Sequence, residues 1–175
     1  MEKNILITYA SKHGATKEIA EKIGAVLRQA GLHVDVIPAA GVRDLNPYMA
    51  IILGSAVYVG KWHKDAEKFI QANEKILADR QVWLFSSGPT GEGDPLELVE
   101  GQRLPVDLQP IVDRIRPRDV TVFLGNIDPE KLNLMEKWAI KNVAKKPFGD
   151  FRDWEAIERW SGSIADALKK TAYAF

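Results

Sequence analysis

The sequence contains no cysteine. This absence excludes disulfides, thiolate catalysis and cysteine-ligated iron–sulfur centres, and we expect a cytoplasmic protein. There is also no apolar run of membrane-spanning length, and no secretory signal is expected before Ile5. The chain also has no net charge at neutral pH, because 24 basic residues balance 24 acidic ones. A neutral chain does not create the one-signed field that attracts nucleic acid or steers a highly charged carrier to its partner.

What is present is typical of one globular domain spanning residues 1–175. Five short apolar runs alternate with helical patterns along the chain. The runs are Ile5–Tyr9, Leu32–Ile37, Met49–Gly54, Val82–Ser86 and Val120–Gly125. This alternation predicts an α/β fold in which right-handed crossovers build a five-stranded parallel sheet with helices on both faces. Such sheets bind ligands at the carboxyl ends of their strands.

The first strand leads into a small, hydroxyl-bearing loop and then directly into a helix. The loop residues are Ser11, Lys12, His13, Gly14, Ala15 and Thr16. A helix N-terminus presents backbone N–H groups and a partial positive charge, so this loop is suited to a phosphate. The loop lacks the Gly-Lys-Ser/Thr of a Walker motif and has only one glycine, which excludes the dinucleotide fingerprint. An ordinary capped turn is the alternative interpretation.

Two further loops end at the same predicted edge of the sheet. The second contributes Ser55, Ala56, Val57, Tyr58 and Trp62, and the third contributes Ser86, Ser87, Gly88, Pro89 and Thr90. The two aromatic side chains offer faces for a flat ligand, although an aromatic here can equally pack under the following helix. The third loop opens a long acidic segment over residues 88–106, which is unusual inside a compact domain and typical of a functional loop.

A basic amphipathic helix is predicted over residues 129–146, just before the final helix. Asp128-Pro129-Glu130 is a strong helix start. The apolar stripe is Leu132, Met135, Trp138, Ala139 and Val143, and the lysines are Lys131, Lys137, Lys141, Lys145 and Lys146. Two interpretations remain open: a core-facing helix with a solvated basic face, or a surface helix that meets an anionic membrane or a partner subunit.

The first loop resembles the signature of flavodoxins. The matching residues are Ile7, Tyr9, Ser11, Gly14, Thr16, Ala20 and Ile23, and the departure is Thr8, where that family prefers an apolar residue. The resemblance implies the strand order 2-1-3-4-5 and an FMN cofactor held by residues of all three loops. It implies no metal, and it identifies no catalytic residue. Flavodoxins often place a second aromatic in the third loop, whereas this chain has none between Phe85 and Phe123. The resemblance therefore implies a flavin face that is either open to a substrate or covered by another segment.

Within that superfamily the chain is most similar to menaquinone-dependent protoporphyrinogen IX dehydrogenases. The similarity is carried by Lys12, by the Gly54 to His63 segment, by the inserted basic helix and by residues 149–154. It implies two-electron transfer through FMN to a quinone, with a redox partner, a quinone or a porphyrinogen as partner. It also permits an oligomer and a peripheral contact of the inserted helix with the inner face of a membrane.

Other functions remain open at this point. A soluble electron carrier is disfavoured by the neutral charge, since carriers of this type are strongly acidic. An NAD(P)H-dependent quinone or azo reductase and a binding module without flavin are the remaining alternatives.

Overall fold

The computed structural model describes residues 4–172. Its strands are β1 (Asn4–Ala10), β2 (His33–Pro38), β3 (Tyr48–Tyr58), β4 (Lys61–Trp62), β5 (Gln81–Ser87), β6 (Asp119–Phe123), β7 (Asn126–Ile127) and β8 (Gly149–Asp150). Five strands form a parallel sheet in the order β2-β1-β3-β5-β6, which confirms the predicted order 2-1-3-4-5 once the short strands are left out of the count. β4 pairs antiparallel with the end of β3, and β7 pairs with β8 in a separate ribbon. These three short strands were not predicted.

The helices are α1 (Ala15–Gln29), α2 (Lys64–Ala72), α3 (Glu74–Ala78), α4 (Pro95–Leu98), α5 (Gln109–Ile115), α6 (Leu134–Ala139) and α7 (Trp154–Ala172). Helices α1 and α7 pack on one face of the sheet, with Ile19, Ile23 and Ile164 fully buried there. Helices α2, α3 and α5 cover the other face through residues such as Ile70 and Leu77. The result is the predicted three-layer sandwich, because strands with two apolar faces need helices on both sides. No helix in residues 4–172 has the length and apolar character needed to cross a membrane.

The sheet register brings the three predicted loops together. Ala10 at the end of β1 pairs with Ser55 of β3, and Ser55 pairs in turn with Ser86 of β5. Each loop therefore begins at the same level of three adjacent strands. This is the carboxyl edge at which parallel sheets bind their ligands.

The inserted segment, residues 129–146, departs from the predicted continuous helix. It contains a 3₁₀ turn over Pro129–Lys131, extended backbone at Leu132, helix α6, and a π-helical turn over Ile140–Ala144. The break arises because Asn133 caps a new helix: its side-chain oxygen accepts the Glu136 N–H at 2.8 Å. The predicted apolar stripe does not face the core, since Met135 is 82% and Trp138 is 63% exposed. The core-facing interpretation of this segment is therefore wrong.

The helical stretch between β4 and β5 is divided in two. Helices α2 and α3 meet at Asn73, whose backbone N–H still donates to the Phe69 carbonyl oxygen.

Candidate functional site

The first loop has the geometry of an anion-binding turn. Gly14 has a φ of 90°, the left-handed region that favours glycine, and it directly precedes helix α1. The Ser11 hydroxyl oxygen accepts the Gly14 N–H at 3.0 Å, which closes the turn. The helix begins without a side-chain cap, so its first N–H groups point toward the loop. The Thr16 side chain lies inside this turn at 1% exposure.

The second loop is a tight hairpin between β3 and β4, held by Ser55. The Ser55 hydroxyl donates to the Ala56 carbonyl oxygen and accepts the His63 N–H. Tyr58, which is 38% exposed, leans across to the first loop, where its hydroxyl oxygen accepts the Lys12 N–H at 3.0 Å. Burial raises the pKa of the Tyr58 hydroxyl, so it stays protonated at neutral pH. Tyr58 is thus an aromatic side chain at the mouth of the site.

Trp62 does not present a face to that mouth, which corrects the expectation that it stacks on a ligand. Its side chain is 3% exposed and belongs to the hydrophobic core beneath the hairpin. The indole Nε1–H donates to the Ser86 hydroxyl oxygen at 2.9 Å, and Ser86 donates onward to the Arg103 carbonyl oxygen at 2.8 Å. Trp62 therefore links the second and third loops through hydrogen bonds on their buried side. His63 begins helix α2, because its Nδ1 accepts the Asp65 N–H.

The third loop approaches β3 and the end of β6 closely. A Cβ atom on Gly88 would lie 3.2 Å from the Val57 carbonyl oxygen, so this position favours glycine. The Gly125 N–H donates to the Pro89 carbonyl oxygen at 2.9 Å, which fixes the path of the loop. Ser87 and Thr90 are both buried.

Sequence reasoning missed the contacts that the inserted segment makes with the first loop. The Glu136 carboxylate lies 2.9 Å from His13 Nε2 and 3.3 Å from Lys12 Nζ. Arg152, whose side chain is 6% exposed, pairs with Glu18 and Asp150 and donates to the Ala15 carbonyl oxygen, so it braces the start of α1. Apart from Asp150, these partners are more than a hundred residues apart in sequence, so no local pattern indicates them.

Two adjoining cavities open at this edge. The smaller, of about 160 Å³, lies among all three loops, with Ser11, Thr16, Tyr58 and Ser87 in its wall and Ile140 above. The larger, of about 590 Å³, shares Val57 and Gly88 with it and extends toward residues 98–105. Its charged wall residues are Arg103, Lys145 and Lys146, with no carboxylate among them. Three cationic side chains therefore line one cavity of a chain whose net charge is zero. The sequence pattern did not indicate this clustering of positive charge.

A parallel sheet whose first helix, a hairpin and a glycine-bearing loop converge at one edge defines an α/β protein of the flavin-nucleotide type. The family model of the flavodoxin domain matches residues 6–152, and the chain belongs to that family. It has the FMN-binding electron-transfer fold, and FMN is the cofactor of the family.

Individual relatives agree with this assignment. Protoporphyrinogen IX dehydrogenase [quinone] of Escherichia coli strain K12 is 21% identical over 180 residues, covering 94% of this chain and 96% of the relative. A flavodoxin from the domain Archaea superposes with a TM-score of 0.61 at 19% identity, covering 95% of this chain and 99% of the other. Flavodoxin 2 of Bacillus cereus gives a TM-score of 0.56 at 25% identity, with the same coverage of both chains.

The residues present fit FMN. Two buried hydroxyl oxygens in the loops, Thr16 Oγ1 and Thr90 Oγ1, have no hydrogen-bond partner among the residues that the structure describes. A buried polar atom without a partner is costly, and a ligand at this place would supply one. The left-handed Gly14 and the helix N-terminus suit a terminal phosphate, while Tyr58 and Ser87 line the smaller cavity among the three loops.

Proposed function

We propose that this chain is an FMN-dependent oxidoreductase that takes electrons from an anionic porphyrinogen and passes them to a quinone. The Escherichia coli relative is named as a protoporphyrinogen IX dehydrogenase that uses a quinone, and a porphyrinogen is the substrate we assign to this chain on that similarity. In this proposal Ser11–Thr16 hold the phosphate, and Ser55–Tyr58 with Ser86–Thr90 hold the ring.

The observation that carries the proposal is the larger cavity, which extends from the third-loop residues assigned to the ring toward residues 98–105. Its volume of about 590 Å³ lies within the roughly 300–1,000 Å³ of small-molecule sites. A carrier that exchanges electrons at an exposed flavin edge has no need of a cavity that extends beyond the ring. The wall combines apolar side chains such as Leu104 and Val122 with three cations, which favours an apolar ligand that carries negative charge.

The chemistry divides between the cofactor and the chain. FMN, when bound, supplies two-electron transfer. Each two-electron, two-proton oxidation of the donor is balanced by reduction of one quinone to the quinol. The chain's part is to bind and orient: Arg103 and Lys146 hold an anionic donor in the larger cavity, and Tyr58 borders the place of the ring.

The test uses the FMN-loaded protein without oxygen. Protoporphyrinogen IX, NADH and NADPH are each mixed with it, and the loss of flavin absorbance is followed before a menaquinone analogue is added. We expect bleaching by the porphyrinogen and recovery of absorbance with the quinone. Bleaching by a nicotinamide alone would instead establish the NAD(P)H-dependent reductase, and no bleaching by any of the three reductants would favour an electron carrier.

The inserted segment supports a second part of the proposal, a peripheral contact with an anionic membrane, where a lipid-soluble quinone resides. Its apolar side chains point outward: Leu134 is 83% and Val143 is 70% exposed, in addition to Met135 and Trp138. The same segment carries Lys131, Lys137, Lys141, Lys145 and Lys146, of which Lys131 donates to the His13 carbonyl oxygen. A segment that combines exposed apolar side chains with lysines is typical of helices that lie in a membrane interface.

A further inference from the structure

Glu136 is an acidic side chain placed against the phosphate loop. Its Oε2 atom accepts a hydrogen bond from His13 Nε2 at 2.9 Å and lies 3.3 Å from Lys12 Nζ. Its other oxygen accepts from Asn133 Nδ2 at 2.7 Å. The Glu136 and His13 side chains are 23% and 25% exposed, so this contact is more sheltered than an ordinary surface pair. A carboxylate thus already occupies the two side chains of the loop best able to bind an anion.

Other contacts hold the carboxylate at this place. Lys131 Nζ donates to the His13 carbonyl oxygen at 3.4 Å, and Ile140 and Ala144 lie over the smaller cavity. Although partial burial raises the pKa of Glu136, the hydrogen bonds from Lys12 and His13 hold it below its usual range. Glu136 is consequently charged at neutral pH.

We propose that Glu136 is the built-in anion of the phosphate loop, and that the phosphate of FMN competes with it for Lys12 and His13. The inference rests on the FMN site proposed above. A phosphate monoester carries a charge of about −1.5 to −2 at neutral pH, and it would face the Glu136 carboxylate across the same two side chains. Bound phosphate and bound Glu136 therefore oppose each other, which makes Glu136 a determinant of how strongly the site prefers FMN over riboflavin.

The competition makes a prediction that distinguishes charge from packing. Glu136→Gln retains an oxygen for Asn133 and removes the negative charge. We expect this variant to bind FMN about fivefold more tightly, the effect of removing a competing, partly exposed ion pair. Riboflavin has no phosphate, so its affinity should stay within about twofold of the wild type, a difference too small to reflect an ion pair.

The measurement is titration of the flavin-free protein with FMN and with riboflavin, followed by flavin fluorescence. Glu130→Gln is the matched control, because it removes the same charge from an exposed position on the same segment. It should leave both affinities unchanged. Weaker or unchanged FMN binding by Glu136→Gln would overturn the inference. Glu136 would then have only a structural role, that of positioning the first loop. Failure of the wild type to bind FMN at all would overturn the proposed function as well.

Discussion

Two buried hydroxyl groups without partners are the clearest residue-level indication of a ligand. Thr16 is 1% exposed at the start of α1 and Thr90 is 7% exposed in the third loop. Thr8 is an internal comparison, because its hydroxyl is also buried without a partner in the described part of the chain but lies within β1 rather than in a loop.

Replacing Thr16 by valine should weaken FMN binding by about 1 kcal/mol, the net contribution of a hydrogen bond. The flavin-free protein should become no less stable, since the substitution removes an unsatisfied buried hydroxyl. FMN titration and urea unfolding measure the two effects. Thr8→Val should likewise leave the flavin-free protein no less stable, but it should not weaken FMN binding. Equal loss of FMN affinity in both variants would contradict the assignment of Thr16.

Alanine variants of Trp62 and Tyr58 distinguish a role in core packing from a role in ligand contact. Trp62→Ala should lower the free energy of unfolding by about 3–5 kcal/mol, because it removes a buried aromatic side chain from the core. Tyr58→Ala should instead weaken FMN binding and relieve part of the flavin quenching, with less than about 1 kcal/mol lost in stability at a partly exposed position. Urea unfolding and fluorescence titration of both variants test this. A stable Trp62→Ala protein with lost quenching would restore Trp62 as the stacking residue.

Tyr58 lies at the mouth of the site and Trp62 lies in the core, and this difference shows what the sequence could predict about single residues. Tyr58 ends β3 and Trp62 lies four residues later in β4, and aromatic character alone places either at a flat ligand or in the core. The hairpin of β3 and β4, which turns Trp62 inward toward Ser86, depends on the third loop being underneath. That is a tertiary contact, so local pattern could not distinguish the two.

Among the elements, the strands were predictable and the inserted segment was not. An uninterrupted apolar run, such as residues 49–54, predicts a buried parallel strand directly from the sequence. The inserted segment has helical spacing throughout, yet the local cap at Asn133 and the extended Leu132 divide it. Its position is decided by Glu136 and Lys131 contacting a loop more than a hundred residues earlier.

The exposed face of the inserted segment leads to a binding prediction. The protein should co-sediment with liposomes that contain anionic lipid at low salt, and release at high salt, because each lysine near the surface contributes about 1 kcal/mol and salt screens it. The double substitution of Lys137 and Lys141 by glutamate should abolish pelleting. The same double substitution at exposed Lys68 and Lys75 on α2 and α3 is the control. Equal pelleting on neutral liposomes would contradict an electrostatic contact.

At the level of the whole molecule, charge is balanced in total but not in space. The larger cavity has Arg103, Lys145 and Lys146 in its wall, although the chain as a whole is neutral. Composition could not reveal this, because residues 103 and 145 meet only when the third loop and the inserted segment fold against the same sheet edge. The fold and the three loops were predictable because each follows from a contiguous stretch, whereas the cavity is assembled from distant ones.

Arg103→Gln should raise the KM for an anionic donor about tenfold, the loss of one charge-assisted hydrogen bond. The KM for a neutral quinone should not change, because a neutral substrate does not interact with the lost charge. The substitution also removes the hydrogen bond from Arg103 Nη1 to the Val120 carbonyl oxygen. Steady-state oxidation with each substrate varied in turn measures both values. Arg43→Gln, an exposed arginine in a loop elsewhere, is the matched control. An equal rise for the neutral quinone would show that Arg103 supports the fold of the cavity rather than the charge of its ligand.

The account depends most directly on FMN being held by its phosphate in the first loop. Calorimetric titration of the flavin-free protein with FMN, riboflavin and FAD tests this in one experiment. We predict one equivalent of FMN bound at least about a hundredfold more tightly than riboflavin, since charge-assisted hydrogen bonds to the phosphate each contribute roughly 1.5–3 kcal/mol. FAD, which has no terminal phosphate, should bind no better than riboflavin. Equal affinity for FMN and riboflavin would contradict the account.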